Sequence, residues 1–313
     1  MPPMVTCLPP TSMTAASSFS QVSVVMIALA ASVPFSSVSF FFPANTSMPA
    51  VSLSIGICFP MTPVEPMSTP SSGISRALAA ATAVSLHGMI HPNMCTMLAF
   101  VTTDAVIAKE TLQKALSGDV DDTYNMISVD GDTSTNDTVI LLANGLAGNP
   151  EIVYGSPEYE EFALALHAIN EYLAKKIAGD GEGATALFEV KAVGCESVEQ
   201  AKTLAKSIVC SNLTKTAIAG HDANWGRILC AMGYSGAQFD PEKVDLFFES
   251  KAGKIQIIEN GTAVDYSEAE ATKILSEPEV TAIADVKMGA EEAVAWGCDL
   301  THGYIEINAD YRS

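Results

Sequence analysis

The distribution of charge changes abruptly near residue 87, and this change constrains the fold more than any other feature of the chain. Residues 1–87 contain one acid, Glu65, and one base, Arg76, so 35 of the 36 acidic residues lie after them. The same segment holds 17 serines and 11 of the 16 prolines. Because a soluble domain is usually about 25% charged, residues 1–87 and 88–313 are two different kinds of sequence.

The acid excess of the second part excludes several classes of partner. All of the net charge of −20 lies in residues 88–313, where 15 bases face 35 acids. Nucleic acid and anionic membranes both require a basic face, so we expect neither as a partner. The seven cysteines include no C-x-x-C pair and the five histidines have no metal-binding spacing, so we predict no metal site. An odd cysteine count suits a reducing compartment, and we expect a cytoplasmic protein.

Three ordinary interpretations of residues 1–87 each conflict with the sequence. Gln21–Val33 is apolar like the core of a signal peptide, but no basic residue precedes it. Phe19–Phe42 is long enough to span a membrane, but a Ser-Val-Pro-Phe-Ser-Ser stretch interrupts it and no Lys or Arg flanks it. A disordered linker would explain the prolines but not the many large apolar residues. Membrane attachment through Phe19–Phe42 stays as a weaker alternative.

Residues 88–313 have the regularly spaced helix-capping and turn residues that are typical of a protein with mixed helices and strands. Their patterns predict helices over Ala108–Leu116, with Gly118 as the stop, and over Ser156–Ile177, Ser197–Ile208 and Ser267–Leu275. They predict strands over Phe188–Val193, Val244–Phe248, Lys254–Ile258, Val280–Val286 and Gly303–Ile307, with a tight turn at Asn260-Gly261. This mixed order predicts α/β or α+β layers.

Three polar clusters are candidates for a functional site. They are Gly88–Leu98, Val129–Thr138 and His221–Arg227. The acids of the second cluster are spaced somewhat like those of a calcium loop, but the glutamate at the twelfth loop position is absent. A capped turn before the apolar Val139–Ala143 explains that cluster equally well. No phosphate-binding G-x-x-x-x-G-K-[ST] loop is present, so nucleotide hydrolysis has no support.

In this order the clusters resemble the ornithine acetyltransferase (ArgJ) family of arginine biosynthesis. The resemblance runs from Gly88 to Ser313 and rests on the motifs GMIHPNM-x-TMLAF, SVDGDTSTNDTV with LLANG, DGEGAT, DANWGR and YIEINADYRS. It implies an α/β layered sandwich, the fold shared with self-cleaving aminopeptidases. It also implies a chain that cuts itself before a threonine, here between Cys95 and Thr96, and that assembles from α and β fragments as a heterotetramer.

The resemblance assigns roles to matching residues. Thr96 is the implied nucleophile, whose new N-terminal amine acts as its base. It takes acetyl from N-acetylornithine and passes it to glutamate, with no cofactor, although bifunctional members also use acetyl-CoA as donor. Substrate binding is implied for Thr96, Glu182, Asn308 and Ser313. A part in building the site is implied for Asn93, Asp130, Asp132, Asn136, Asp137, Asp222, Asn224 and Arg227.

The chain departs from the family pattern on the amino-terminal side of Thr96. The Thr-Gly pair that forms the oxyanion hole is missing, and it normally lies in a Ser-Thr-Gly-Val-Ile-Gly stretch. Ser85 stands where a substrate-binding lysine is expected, Ala186 stands where EGATK has a lysine, and Cys95 replaces the usual alanine. Loss of one oxyanion donor typically slows acyl transfer ~100–1,000-fold. We therefore expect this chain to be impaired or inactive.

A reversal of the coding strand explains both the loss and the odd composition. Suppose that residues 1–86 are translated from the opposite DNA strand, shifted by one base. The codons of Glu65 to Pro60, read in reverse on the other strand, then encode Ser-Thr-Gly-Val-(Ile or Met)-Gly. Ala28 back to Val22 permits Ala-Ile-Met-Thr-Thr-Asp-Thr, another stretch typical of the family. We therefore divide the chain into an aberrant, antisense-derived segment (1–87), a remnant of the α subunit (88–95) and the β-subunit region (96–313).

Two other classes of function stay open. One is a self-cleaving, aminopeptidase-like hydrolase of the same fold, which would hydrolyse peptides. The other is a non-catalytic acidic binding domain, in which replacement of Thr96 would change no activity.

Overall fold

A computed structural model describes residues 97–132 and 137–310 in full and the backbone course of Ser23–Ala28. Within these residues the strands are β1 (Ser23–Ala28), β2 (Leu98–Thr103), β3 (Ile127–Ser128), β4 (Thr138–Ala143), β5 (Leu187–Cys195), β6 (Asp245–Ser250), β7 (Gly253–Glu259), β8 (Thr262–Ala263), β9 (Glu279–Asp285) and β10 (Glu291–Cys298). The helices are α1 (Lys109–Val120), α2 (Pro157–Gly179), α3 (Val198–Val209), α4 (Asn212–Ala219), α5 (Trp225–Gly233), α6 (Glu268–Leu275) and α7 (His302–Ala309).

The strands form two sheets. The larger, seven-stranded sheet has the order β3-β10-β5-β9-β6-β7-β8 and mixes parallel with antiparallel pairs. The smaller sheet is parallel and has the order β1-β4-β2, with Leu98 opposite Thr138. Helices α2 and α3 pack against β5 and β10. Layers of helix on sheet confirm the predicted α/β class.

The main core lies between β5 and the helices packed on it. Alternate side chains of β5, Phe188, Val190 and Ala192, have no exposed surface. On α3, Leu204 and Ile208 are equally buried, because their four-residue spacing places them on one helix face. Each such large side chain contributes about 1.5–3 kcal/mol when it leaves water. This core forms the rigid support of the candidate site.

The predicted helix starts agree with the structure. The Ser156 hydroxyl accepts a hydrogen bond from the Tyr159 amide at 3.2 Å, and Ser197 accepts one from Gln200, also at 3.2 Å. Ser267 caps α6 in the same way. These side chains satisfy amide groups that the first helical turn cannot bond internally. Asn260 and Gly261, with φ of 46° and 71°, form the predicted turn between β7 and β8.

The predicted stop of α1 at Gly118 is wrong. The helix continues to Val120, which is buried in the core. Asp119, one residue past the glycine, accepts a hydrogen bond from Asn170 at 2.5 Å and lies 2.6 Å from the ring of His167. These contacts with α2 favour another turn of helix, and the cost of a helical glycine is only about 1 kcal/mol.

The predicted strand over Gly303–Ile307 is also wrong, since these residues belong to α7. Thr301 begins the helix, and its hydroxyl accepts a hydrogen bond from the Gly303 amide at 3.1 Å. The apolar alternation that resembled a strand does not form a buried face, because Ile305 is 58% exposed. The strand of this region is β10, which ends five residues before Gly303 and pairs with both β3 and β5.

The predictions for residues 1–87 lie outside the described residues, apart from the backbone of β1. None of the helices in the described ranges is long and apolar enough to cross a membrane. Across those same ranges, the structure contains no group of three or more side chains arranged to hold a metal ion.

Candidate active site

The turn that carries Glu182 is held in place by two glycines. Gly181 leaves no room for a side chain, since a Cβ atom there would lie 2.7 Å from the sulfur of Cys298. Gly183 has a φ of +69°, and its Cβ would lie 2.5 Å from the backbone nitrogen of Tyr304. Only glycine combines this backbone conformation with so close a contact. The turn therefore packs directly against the end of β10 and the first turn of α7.

Polar contacts fasten both ends of this turn. Asp299, which is buried, accepts hydrogen bonds from the Thr185 amide at 2.8 Å and the Thr185 hydroxyl at 2.5 Å. It also accepts one from the amide of Ala186 at 3.1 Å. The hydroxyl of Thr301 donates to the carbonyl of Gly183 at 2.6 Å. The half-buried Glu182 thus lies on a turn with little freedom to move.

The loop after β3 approaches the same place. Lys215 on α4 is 1% exposed, and its ammonium donates to the carbonyl of Val129 and lies 3.6 Å from the sulfur of Cys298. The next residue, Asp130, accepts a hydrogen bond from the phenol of Tyr304 at 3.0 Å. Asp130, Glu182 and α7 therefore meet in one region of the molecule.

The charges in this region favour a cationic ligand. Burial, and then the negative charge of Asp130, raise the pKa of Glu182 above its usual value. Burial and a hydrogen bond to Asp130 raise the pKa of the Tyr304 phenol, which therefore stays protonated and donates. A positive ligand beside Glu182 would relieve the repulsion between the two carboxylates.

The predicted binding residue Asn308 lies on α7, one turn after Tyr304. Its side-chain amide donates to the carbonyl of Tyr304 at 3.0 Å, and the side chain is half-buried. The structure thus places Asn308 on the helix that packs against Gly183, the residue after Glu182, and that bonds the Asp130 carboxylate through Tyr304. Ser313 lies outside the described residues.

The implied nucleophile Thr96, together with Asn93 and Cys95, lies outside the described residues, but the chain directly after it does not. The amide of Met97 donates to the Asp137 carboxylate at 3.0 Å. The carbonyl of Met97 accepts a hydrogen bond from the Thr138 amide at 2.8 Å. Asp137 therefore holds the backbone one residue after Thr96, at the start of β2.

The other acids of the same loop are placed differently. Asp132 is exposed, and its amide donates to the Asp130 carboxylate at 2.9 Å. Asn136 is among the residues that the structure does not describe.

The DANWGR motif supports α4. Asn224 caps α5 by accepting a hydrogen bond from the Arg227 amide at 3.2 Å, and its own amide group donates to Asp222 at 2.9 Å. Arg227 donates to the carbonyl of Leu213 at 2.8 Å and to the hydroxyl of Thr216 at 3.0 Å. These two residues lie on either side of Lys215 in α4. Arg227 thus braces the turn that holds the buried lysine, and it acts on the site indirectly.

Sequence reasoning missed three residues of this region. Lys215 has no motif signal, because a single lysine among Leu, Thr, Ala and Ile normally lies on a solvated helix face. Asp299 follows the unrecognised strand β10, so its position beside the Glu182 turn was hidden. Tyr304 lies within a quoted motif, but its mistaken assignment to a strand concealed its contact with Asp130.

Comparisons with known proteins identify the relatives of this chain. The ArgJ family model matches residues 83–313. The arginine biosynthesis bifunctional protein ArgJ of Thermotoga neapolitana is 57% identical over 226 residues, and that of Symbiobacterium thermophilum is 54% identical. A crystal structure of the arginine biosynthesis bifunctional protein ArgJ from Bacillus halodurans matches with a TM-score of 0.65 and 46% identity. The match covers 68% of this chain and 99% of the crystallised one.

The extent of these matches is uneven. The matched region is 72% of this chain but only 57% and 55% of the two curated relatives, little more than half of their length. Since the family model covers most of the chain, it confirms the resemblance inferred from the motifs. The chain belongs to the ArgJ family.

Proposed function

We propose that the chain carries the β-subunit region of an acetyltransferase that moves acetyl from N-acetylornithine to glutamate in arginine biosynthesis. The observation that carries this proposal is the meeting of three family motifs at Glu182: the Asp130 loop, the DGEGAT turn and the helix of Asn308. Two carboxylates at this point suit the ammonium group of an ornithine derivative. The names of the relatives, which place them in arginine biosynthesis, agree with that substrate class.

The chemistry begins at Thr96. After cleavage its free amine takes the proton of its own hydroxyl, and the oxygen attacks the acetyl carbon of N-acetylornithine. The tetrahedral intermediate collapses, ornithine leaves with the proton, and acetyl-threonine is formed. The amine of glutamate then attacks this ester, gives up a proton and regenerates the threonine hydroxyl. The hydrogen bond of Met97 to Asp137 supports this assignment, because it fixes the backbone next to the attacking oxygen.

Substrate binding in this proposal involves Thr96, Glu182, Asn308 and Ser313. Glu182 binds the amine of ornithine, and Asn308 reaches the site from α7. A part in building the site is proposed for Asp130, Asp132, Asp137, Asn93 and Asn136, while Asp222, Asn224 and Arg227 support it through α4. No cofactor takes part in the proposed reaction, and acetyl-CoA is a second donor if the chain is bifunctional.

Self-cleavage between Cys95 and Thr96 is the second part of the proposal. It would give fragments of 95 and 218 residues. The crystallised relative supports it, because 68% of this chain, about 213 residues, covers 99% of that chain. A chain of this length corresponds to the proposed larger fragment. The fragments would then pair as a heterotetramer in the cytoplasm.

Impairment is the third part. We propose that residues 1–87 are an antisense reading of the gene, that 88–95 are the remnant of the α subunit, and that 96–313 are the β-subunit region. The near absence of charge before residue 88 supports this division. The oxyanion donors are then missing, and acetyl transfer falls ~100–1,000-fold or more.

The experiment compares this chain with one in which 1–86 are replaced by the reverse-strand translation. We expect the repaired chain to yield the 218-residue fragment on a denaturing gel and to transfer acetyl to glutamate. The chain as it stands should transfer acetyl at least ~100-fold more slowly. Thr96→Ala should abolish both events in the repaired chain. Peptide hydrolysis without acetyl transfer would instead support the aminopeptidase-like alternative. Equal activity with and without Thr96 would contradict the proposal.

A further inference from the structure

Tyr304 is the residue of α7 that contacts both the Asp130 carboxylate and the turn that carries Glu182. Its phenol donates to the Asp130 carboxylate at 3.0 Å, and its carbonyl accepts from the Asn308 side chain at 3.0 Å. Its backbone nitrogen lies directly against Gly183, beside Glu182. One residue therefore contacts all three segments from which the proposed substrate site is built.

We propose that Tyr304 is a positioning residue that holds the Asp130 carboxylate against Glu182 and couples both to the helix of Asn308. The inference rests on the proposed function, since it refines how Glu182 binds a substrate amine. Two carboxylates close together repel each other, and an untethered aspartate would move toward water. The phenol opposes this movement, so that the substrate ammonium meets two fixed negative charges.

The surroundings of Glu182 support a tether of this kind. The titratable groups that face Glu182 or the groups beside it are Asp130 and Asp132 on the loop, Tyr304 on α7, Lys215 on α4, and Cys298 and Asp299 at the end of β10. The only cation in this set, Lys215, is directed to the carbonyl of Val129 and the sulfur of Cys298. Among these described groups, none is a cation that pairs with Glu182 or Asp130. The Asp130 carboxylate is held by two donors, the amide of Asp132 on its own loop and the phenol of Tyr304, and of these two only the phenol ties it to α7.

The first measurement needs no ligand. In the full chain labelled with carboxyl-¹³C glutamate, Glu182→Gln identifies the resonance of Glu182, and its pH titration is then followed by NMR. Asp130→Asn should lower the pKa of Glu182, because it removes the neighbouring negative charge. Tyr304→Phe should also lower it, by less, because Asp130 is then held only by the amide of its own loop and moves away from Glu182. Tyr234→Phe, at a residue that is 61% exposed, is the matched control and should leave the titration unchanged.

The second measurement tests selectivity for the amine. Binding of N-acetylornithine is compared with that of N-acetylnorvaline, which has the same carbon chain without the side-chain amine. Tyr304→Phe should reduce the preference for N-acetylornithine about tenfold, the effect of one charge-assisted hydrogen bond. If Tyr304 has no positioning role and its replacement only loosens the structure, the binding of both ligands should weaken equally.

The outcomes distinguish a failure of the positioning role of Tyr304 from a failure of the proposed substrate. An unchanged or raised pKa of Glu182 in Tyr304→Phe would overturn the positioning role, and so would an equal loss of both ligands. If the unmodified chain does not prefer N-acetylornithine, or if Glu182→Gln keeps that preference, the substrate assignment fails instead. The NMR titration then decides the role of Tyr304 alone.

Discussion

The core around β5 and the turn around Glu182 are adjacent in the molecule but are stabilised in different ways. In the core, Phe188, Val190 and Ile208 are buried by repeating apolar patterns, and each contact resembles its neighbours. In the turn, single atoms from distant residues meet: Asp299 bonds Thr185 across 114 positions and Tyr304 bonds Asp130 across 174. The core therefore tolerates exchange among apolar residues, while the turn depends on particular side chains.

Removal of a large core side chain should have the largest effect on stability. Phe188→Ala leaves a cavity at a residue with no exposed surface and should cost about 3–5 kcal/mol of unfolding free energy. Urea unfolding followed by circular dichroism measures this. Leu164→Ala, at a residue that is 71% exposed, is the control and should change stability by less than about 0.5 kcal/mol. Similar losses in both variants would contradict the assignment of the core.

An added methyl group tests the close packing of the turn. Gly183→Ala combines a left-handed backbone with a backbone clash and should cost about 2–4 kcal/mol. Gly118→Ala is the matched control, because its Cβ would meet nothing within 4 Å inside α1. That variant should gain about 0.5–1 kcal/mol. Thermal unfolding of the two variants measures the expected loss of stability in Gly183→Ala and the expected gain in Gly118→Ala. A stabilised Gly183→Ala would show that α7 does not pack on the turn.

The loss of a helix cap should have a smaller effect, on the core side of the comparison. Ser197→Ala removes the acceptor for the Gln200 amide at the start of α3 and should cost about 1 kcal/mol. Ser197→Asp keeps an acceptor and should restore most of that stability. If the aspartate variant is as unstable as the alanine variant, the cap does not stabilise α3.

The smallest expected effect is a gain in stability at the site. Because the pKa of Glu182 is raised in the folded state, the folded protein binds the proton of the Glu182 carboxyl group more tightly than the unfolded chain does. Its contribution is favourable at acidic pH and is lost as the pH rises through the folded-state pKa. Glu182→Gln should therefore stabilise the fold slightly at pH 7, by less than about 1 kcal/mol. Unfolding at pH 7 and near pH 3 checks this, since the difference should vanish in acid.

The two regions also differ in how far they were predictable. The strand at Phe188–Val193 and the capped helices followed from local patterns, because periodic burial and first-turn capping are short-range properties. The continuation of α1 through Gly118 did not, because it depends on the contacts of Asp119 with α2. The helix at Gly303–Ile307 depends on a cap at Thr301, whose hydroxyl also bonds the remote Gly183. In both cases distant residues outweighed the local preference.

Of the candidate site, the motifs predicted Glu182, Asp130 and Asn308, but not the residues that bring them together. The roles of all three stay predictions until they are measured. Lys215 and Asp299 are buried charged groups whose partners lie 86 and 114 positions away. A buried lysine has the same local sequence as an exposed one, so no pattern identifies it.

The sequence by itself determined the class of the fold, the family and the break at residue 87, because composition, periodicity and motif order are carried by the chain alone. Only the tertiary structure decided that Tyr304 joins Asp130 to the helix of Asn308. It also decided that Lys215 holds the Asp130 loop by donating to the carbonyl of Val129. The physical reason is that a hydrogen bond depends on the distance between two atoms. Folding brings together atoms that the order of residues keeps apart.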